Sequence, residues 1–537
     1  MYMTIGEVFS QTVRKFPKKE ALVDIAKGRR YTYEQWEKEV NRLANALLEA
    51  GVQKGDRVST VLFNTLELGT AFFACAKIGA IFNPINFRLK RENSKIFAPR
   101  TNEKRDKKLK ERMKPRNLCK KRSGHKSVLF SGDMCSLDWE SDFTQTLRLG
   151  RKRGDGMTAA YLREEHHIFR DAFRKFLEKE AYPYYDEWEK KGIIPRSFWA
   201  KMGENGFLCP WVDEKYGGFN ADFAYSVVIN EELEKVGSSM IGIGLHNDIV
   251  VPYLASYGTE EQKRKWLPKC ISGEIITAIA MTEPGTGSDL AGISTTAIKD
   301  GDYYIVNGQK TFITNGIHAD LVVVACKTNP KAQPPHKGIS LLVVERDTPG
   351  FTRGRKLDKV GLRAQDTAEL FFHDAKVPKE NLLGEEGKGF YYLMEKLQQE
   401  RLVVAIAAQT AAEVMFELTK KYVKQRSAFG KRISEFQTVQ FRLAEMATEI
   451  AIGRTFVDRV IEEHMQGKNV VAHVSMAKWW ITEMAKRIAA ESMQLHGGYG
   501  YMEEYEIARR YRDIPVSAIY AGTNEMMKTI IARNLEL

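Results

Sequence analysis

The chain has 537 residues, 43% hydrophobic and 10% aromatic, which is enough for several packed cores and too long for one ordinary domain. Its first 13 residues carry no apolar run behind a basic start, and the most apolar window, 61–85, is interrupted by Asn64 and Glu67. Neither a secretory signal nor a membrane span is expected. The formal charge is +13, yet residues 91–126 alone hold 15 Lys or Arg against 4 Asp or Glu, so nearly all of the excess sits in one stretch. That stretch has a single aromatic, Phe97, and no apolar period, so it lacks a stacking platform and reads as a solvated run with no nucleic-acid partner. Six cysteines lie far apart, with no C-x-x-C pair and no ligand-spaced His, which points to a reduced, cytoplasmic protein without a metal site.

In chain order, Thr32 with Gln35 forms a capping-box signature that opens a helix from Tyr33 to Ala50, closed by Gly51. A strand from Arg57 to Phe63 comes next, then an apolar helix from Leu66 to Ile78, ending at Gly79. The segments E-A-L-V-D, Y-T-Y-E-Q-W, G-D-R-V and C-A-K-I-G-A-I-F-N-P-I-N-F-R-L resemble the start of the adenylate-forming acyl-CoA ligases. The resemblance covers residues 1–89 and then stops, without that family's Ser/Thr/Gly-rich phosphate loop, so a truncated ligase-like α/β fragment without ATP chemistry is expected. Residues 90–156 show no lasting period and read as a basic, disordered linker, with Met157 as the natural start of the C-terminal portion.

From Met157 regularity returns. Phe169, Ala172, Phe173 and Phe176 repeat at helical spacing, and helical text continues to about Ser272. The period then changes: Tyr303 to Val306, Asn307-Gly308 and Lys310 to Thr314 read as a hairpin with a two-residue turn. Leu321 to Ala325, Ile339 to Glu345 and Glu369 to Phe372 read as further strands. Beyond Gly389 the pattern is helical again, with Val439, Leu443, Met446, Ile450, Val457 and Val460 on one stripe. The expected divisions are 157–275 helical, 276–388 β and 389–537 helical.

The segments M-T-E-P-G-T-G-S, T-F-I-T-N-G, Q-R-S-A-F-G-K, Q-L-H-G-G-Y-G-Y and I-Y-A-G-T-N-E, in this order, resemble the acyl-CoA dehydrogenases across essentially all of residues 157–537. The implied fold is an N-terminal all-α domain, a middle antiparallel β domain and a C-terminal four-helix bundle. FAD is the implied cofactor, with Met281, Thr282, Phe312, Ile313 and Thr314 at the flavin ring. Arg426, Phe429, Gln437, Gln494, Gly497 and Gly498 would reach the FAD of a neighbouring subunit, and Thr523, Asn524 and Glu525 its pyrophosphate and adenosine. A homotetramer is implied. Ser288, Arg401, Ala521 and Gly522 would hold the acyl-CoA substrate.

The catalytic base is where the sequence departs from many members of that family. Glutamate often follows the Tyr of the last motif, but Ala521 stands there. The isovaleryl- and long-chain branch takes its base from an earlier E-R-L, matched here by Glu400-Arg401-Leu402. The residues support the same choice: 402–408 is apolar on every side of a helix, so Glu400 sits at the mouth of a buried run, where a carboxyl holds its proton more tightly. The bland alternative is an exposed Glu400 paired with Lys396. Glu400 would take the α-proton as hydride leaves the β-carbon for the flavin, giving a trans-2-enoyl-CoA, with electrons passed to an electron-transfer flavoprotein. An acyl-CoA oxidase and a non-functional fusion product remain open.

Overall fold

The computed structural model describes residues 4–24, 29–49, 51–54, 56–61, 66–84, 119–122, 125–131 and 159–537, which fall into two compact units, 1–155 and 156–537. In the first unit, Thr4 and Glu7 exchange capping-box bonds that start α1 (Ile5–Lys15), and β1 (Glu20–Asp24) pairs antiparallel with β2 (Arg29–Thr32). Thr32 and Gln35 make the second capping box, with bonds of 2.9 and 3.3 Å, and start α2 (Tyr33–Glu49). Then come β3 (Arg57–Val61), α3 (Leu66–Ile78) and β4 (Ile81–Pro84). The expected strand continued to Phe63, which lies outside the described residues, as does Ala50.

Within the stretch expected to lack elements, two strands are present, β5 (Cys119–Arg122) and β6 (His125–Ser131). β6 runs parallel to β3, placing Val128 opposite Val58 and Phe130 opposite Thr60, in a sheet of order β4-β3-β6-β5. The short apolar run Val128-Leu129-Phe130 was hidden among the surrounding lysines in any count of charge or period. The disorder expected of the rest of 90–156, and the start at Met157, lie outside the described residues.

The second unit opens with α4 (Glu164–Glu180), α5 (Tyr185–Lys191), α6 (Arg196–Glu204), α7 (Phe223–Val236) and α8 (Ile241–Gly244). A six-residue π-helical segment, Leu245–Val250, leads into α9 (Val251–Tyr257), and α10 (Glu260–Ser272) completes the helical part. Phe173 is buried on the predicted stripe of α4, with Phe169 and Phe176 packed beside it.

The β part holds β7 (Thr277–Ala280), β8 (Thr296–Asp300), β9 (Tyr303–Thr314), β10 (Leu321–Lys327), β11 (Ile339–Glu345), β12 (Phe351–Lys356), β13 (Thr367–Pro378) and β14 (Leu382–Leu383). Their order is β12-β13-β9-β8-β10-β11-β14, with β7 on β10; pairing is antiparallel except for β10 with β7 and, at one residue pair, with β8. Side chains alternate across the sheet: Leu321, Val323 and Ala325 of β10 join a core with α9 and α10, while Val322, Val324 and Cys326 fill the opposite face.

The hairpin expected at Asn307-Gly308 does not exist. β9 is one continuous 12-residue strand, and the irregularity lies in its partner β13, which bulges between Phe372 and Ala375 opposite Gly308 and Val306. Asp374, at φ +47°, forms the bulge and accepts a 2.9 Å bond from Asn307 Nδ2. Gly308 is required for a different reason: a Cβ there would meet Thr295 Oγ1 at 2.5 Å.

The C-terminal part holds α11 (Gly389–Gln425), the short pair β15 (Ser427–Ala428) and β16 (Lys431–Arg432), α12 (Gln437–Met465), α13 (Val471–His496), α14 (Glu506–Asp513) and α15 (Asn524–Asn534). Among the described residues α11 alone is long and apolar enough to cross a membrane, but 72% of its apolar stretch is buried inside the bundle. Its all-round apolar segment is enclosed by residues of α7, α12 and α13, so packing accounts for its composition. Met446, Ile450, Val457 and Val460 are buried on α12, whereas Val439 and Leu443 nearer its start are only half-buried.

Candidate active site

Glu400 lies on α11 just before its fully buried stretch and is itself 3% exposed. Its Oε1 accepts a 2.7 Å hydrogen bond from the Tyr253 hydroxyl, carried by α9. Burial raises its proton affinity to about 7, against the opposing effects of the Tyr253 bond and the Arg401 charge. The alternative partner is engaged elsewhere: Lys396 pairs with Glu395 and lies over the Tyr257 ring.

The next residue, Arg401, reaches across to the turn before α15, where its Nε donates to the Ala521 carbonyl at 3.2 Å. Ala521 and Gly522 are both left-handed, at φ +54° and +92°, a conformation that costs about 1–3 kcal/mol for a residue with a Cβ. The buried Lys478 holds the same turn by donating to the Gly522 carbonyl at 2.8 Å and to Asn524 Oδ1 at 3.0 Å. Two cations thus take the two carbonyls, while the Ala521 N–H has no acceptor among the described residues.

The expected flavin segment follows β7. Met281 O accepts from Lys310 Nζ at 3.0 Å, and Thr282 O from Thr311 N at 2.9 Å, so the loop is tied to β9 beside Phe312 and Thr314. Glu283 anchors it from within. Its carboxylate accepts from the Ser294 amide and hydroxyl, the Thr295 amide and the buried Lys310 ammonium, all at 2.6–2.9 Å. Burial would raise the Glu283 proton affinity, but these donors outweigh it and hold the carboxyl down at about 2. Past this anchor the loop is open: Ser288 is exposed, and a Cβ at Gly285 or Gly287 would meet nothing within 4 Å. Phe312 stands 69% exposed at φ +59°. The Ile313 side chain is buried in the sheet, so at the flavin ring this residue would offer its backbone.

A second group forms elsewhere. Arg426, Gln494, Gly497 and Gly498 line a surface hollow of about 640 Å³ together with Tyr422 and Tyr499. Phe429 projects from the β15–β16 turn, 95% exposed at φ +51°, and Gln437 is exposed at the start of α12. Arg426 stands over the Tyr499 ring rather than pairing with Glu435, which accepts from the Arg432 amide. Because α11 is an unbroken helix ending at Gln425, Arg426 lies about 39 Å along the axis from Glu400, at 1.5 Å per residue. Near Gly522, Thr523 caps α15, Glu525 is exposed in its first turn, and Asn524 is buried between them. Its buried amide is spent on Lys478, Thr482 and Glu483 and is not presented to a ligand. Tyr253, Lys310 and Lys478 were not found from the sequence. Lys310 alone left a trace, as a lysine inside a strand pattern, where burial demands an anionic partner.

Residues 163–274, 278–375 and 387–536 match the family models described as the N-terminal, middle and C-terminal domains of acyl-CoA dehydrogenase. The mitochondrial long-chain specific acyl-CoA dehydrogenase of Sus scrofa is 50% identical over 371 residues, covering 69% of this chain and 86% of that protein. The chain belongs to the acyl-CoA dehydrogenase family. The crystal structure of an acyl-CoA dehydrogenase from Geobacillus kaustophilus is 89% identical, with a TM-score of 0.71 over 71% of this chain and 100% of that one. The mitochondrial isovaleryl-CoA dehydrogenase of Pongo abelii is 36% identical over 375 residues, 69% of this chain and 89% of that protein. Residues 9–96 match a different model, described as AMP-binding enzyme. The three acyl-CoA dehydrogenase domains therefore lie within the second unit, and the order helical, β, helical is theirs.

Proposed function

We propose that this acyl-CoA dehydrogenase family member carries out FAD-dependent α,β-dehydrogenation of an acyl-CoA thioester to a trans-2-enoyl-CoA, as a cytoplasmic homotetramer that passes electrons to an electron-transfer flavoprotein. The observation that carries the chemistry is Glu400: a buried carboxyl with a proton affinity near 7, next in sequence to the Arg401 that holds a turn with an unengaged amide. The residues present suit a flavin: an exposed aromatic and two hydroxyl-bearing threonines flank a loop whose glycines leave open space. Met281, Thr282, Phe312 and Thr314, with the Ile313 backbone, would hold the ring. When bound, FAD supplies the acceptor for the hydride of the β-carbon.

The remaining work belongs to the chain. Glu400 breaks the α C–H bond by taking its proton, leaving the electron pair to form the new double bond. The Ala521 N–H donates to the thioester oxygen as negative charge builds there, and Arg401 and Lys478 keep that amide in place from behind. Ser288 and Gly522 would help to hold the acyl-CoA substrate. Glu400→Gln is expected to retain bound flavin and lose turnover by about 10²–10⁴-fold, measured with an artificial electron acceptor. Turnover close to that of the native enzyme would remove Glu400 as the base.

A further inference from the structure

The α9 helix that carries Tyr253 begins where a π-helix ends, a rare distortion that re-aims side chains. Three successive polar side chains pin that π-helical segment to four surrounding residues. His246 bonds Thr277 Oγ1 at 2.9 Å and Cys270 O at 3.1 Å, Asn247 Oδ1 accepts from the Cys209 amide at 3.1 Å, and Asp248 Oδ2 accepts from Asn230 Nδ2 at 2.7 Å. Its backbone then grips α11: the Asp248 carbonyl accepts from Gln399 Nε2 at 2.8 Å, one residue before the carboxylate that Tyr253 bonds. Consecutive side chains of α11 are therefore held by one rigid, pinned segment.

Resting on the reading of Glu400 as the base, we infer that Tyr253 is a positioning residue that favours the ionised Glu400 carboxylate inside its apolar surroundings and occupies Oε1, leaving Oε2 to take the substrate proton. The other charged groups near this point are committed. Arg401 is bonded to Ala521 O and Lys478 to Gly522 O and Asn524. Lys396 is paired with Glu395 against Tyr257, and His464 is bonded to Gln398 and Gln399. Asp248 is bonded to Asn230 rather than to Glu400, and Tyr257 has no bond to Glu400 either. Tyr253 is thus the one direct hydrogen-bond donor to the carboxylate among the described residues.

Difference infrared spectra of the flavin-loaded enzyme, with Glu400→Gln as the blank, follow the protonated Glu400 carbonyl band against pH without relying on turnover. In Tyr253→Phe the midpoint is expected to rise by about one pH unit or more, because a bond to the charged form is lost. Below the native midpoint kcat/KM should fall about tenfold and recover at alkaline pH, with KM unmoved. Tyr257→Phe, which touches no oxygen of Glu400, should leave the midpoint in place. Retained flavin in Tyr253→Phe shows that the variant has folded. A Tyr253→Phe midpoint equal to or below the native one, or the same rise in Tyr257→Phe, overturns the role of Tyr253. Undiminished turnover of Glu400→Gln removes the base instead, and with it the catalytic meaning of the bond, even if the midpoint moves.

Discussion

A carboxyl buried as deeply as Glu400 weakens the fold that carries it. Its proton affinity rises from 4.5 to about 7, so the folded state binds more protons than the unfolded one between those values. The cost is absent below pH 4.5, grows as pH rises, and is complete above pH 7 at roughly 3 kcal/mol. Glu400→Gln is therefore expected to raise the unfolding temperature at pH 8 and to change it little at pH 4.5; equal effects at both pH values in thermal scans would contradict the burial argument. The apolar run after Glu400 marked a buried helix, but the choice between a buried base and an exposed partner of Lys396 was made by the resemblance of Glu400-Arg401-Leu402 to the family's E-R-L. Tyr253 was not legible, because nothing in V-V-P-Y-L marks where a π-turn rotates a side chain, and its partner lies 147 residues away.

Among the elements, the 281–288 loop depends on the Glu283–Lys310 pair, both partners almost wholly buried. Removing one partner of such a pair leaves an uncompensated charge, at about 3–5 kcal/mol. Lys310→Met should lower flavin occupancy and thermal stability together, read from the absorbance of dialysed protein; unchanged occupancy would mean that the loop stands without its anchor. Some elements could be read from period alone: α3 and β11 keep their expected ends, and the Thr32–Gln35 box opens α2. The misread Asn307-Gly308 shows the limit. Turn-forming residues also occur opposite a bulge, and whether the chain reverses there depends on β13, some sixty residues further on.

At the scale of the whole molecule, Arg426 and the hollow beside it stand about 39 Å along α11 from Glu400, so the two are well separated within one chain. Val439 and Leu443 lie one turn apart on α12 and are only half-buried, and Phe441 is exposed on the same helix near Gln437. Arg426→Glu is expected to lower flavin occupancy without shifting the Glu400 midpoint, and an occupancy equal to the native value would detach Arg426 from the cofactor. No sequence period marks Arg426, Gln494, Gly497 and Gly498, so these residues were available only through family resemblance. The first unit is a separate matter: its AMP-binding match ends at residue 96, and the Geobacillus kaustophilus structure aligns in full without it. A chain begun at Met157 should hold flavin as well as the full chain does. The central claim is tested most directly by adding acyl-CoA thioesters of graded length, without oxygen, to the flavin-loaded enzyme and to Glu400→Gln. Rapid loss of flavin absorbance in the native protein alone is the predicted result; equal bleaching in both would contradict the account.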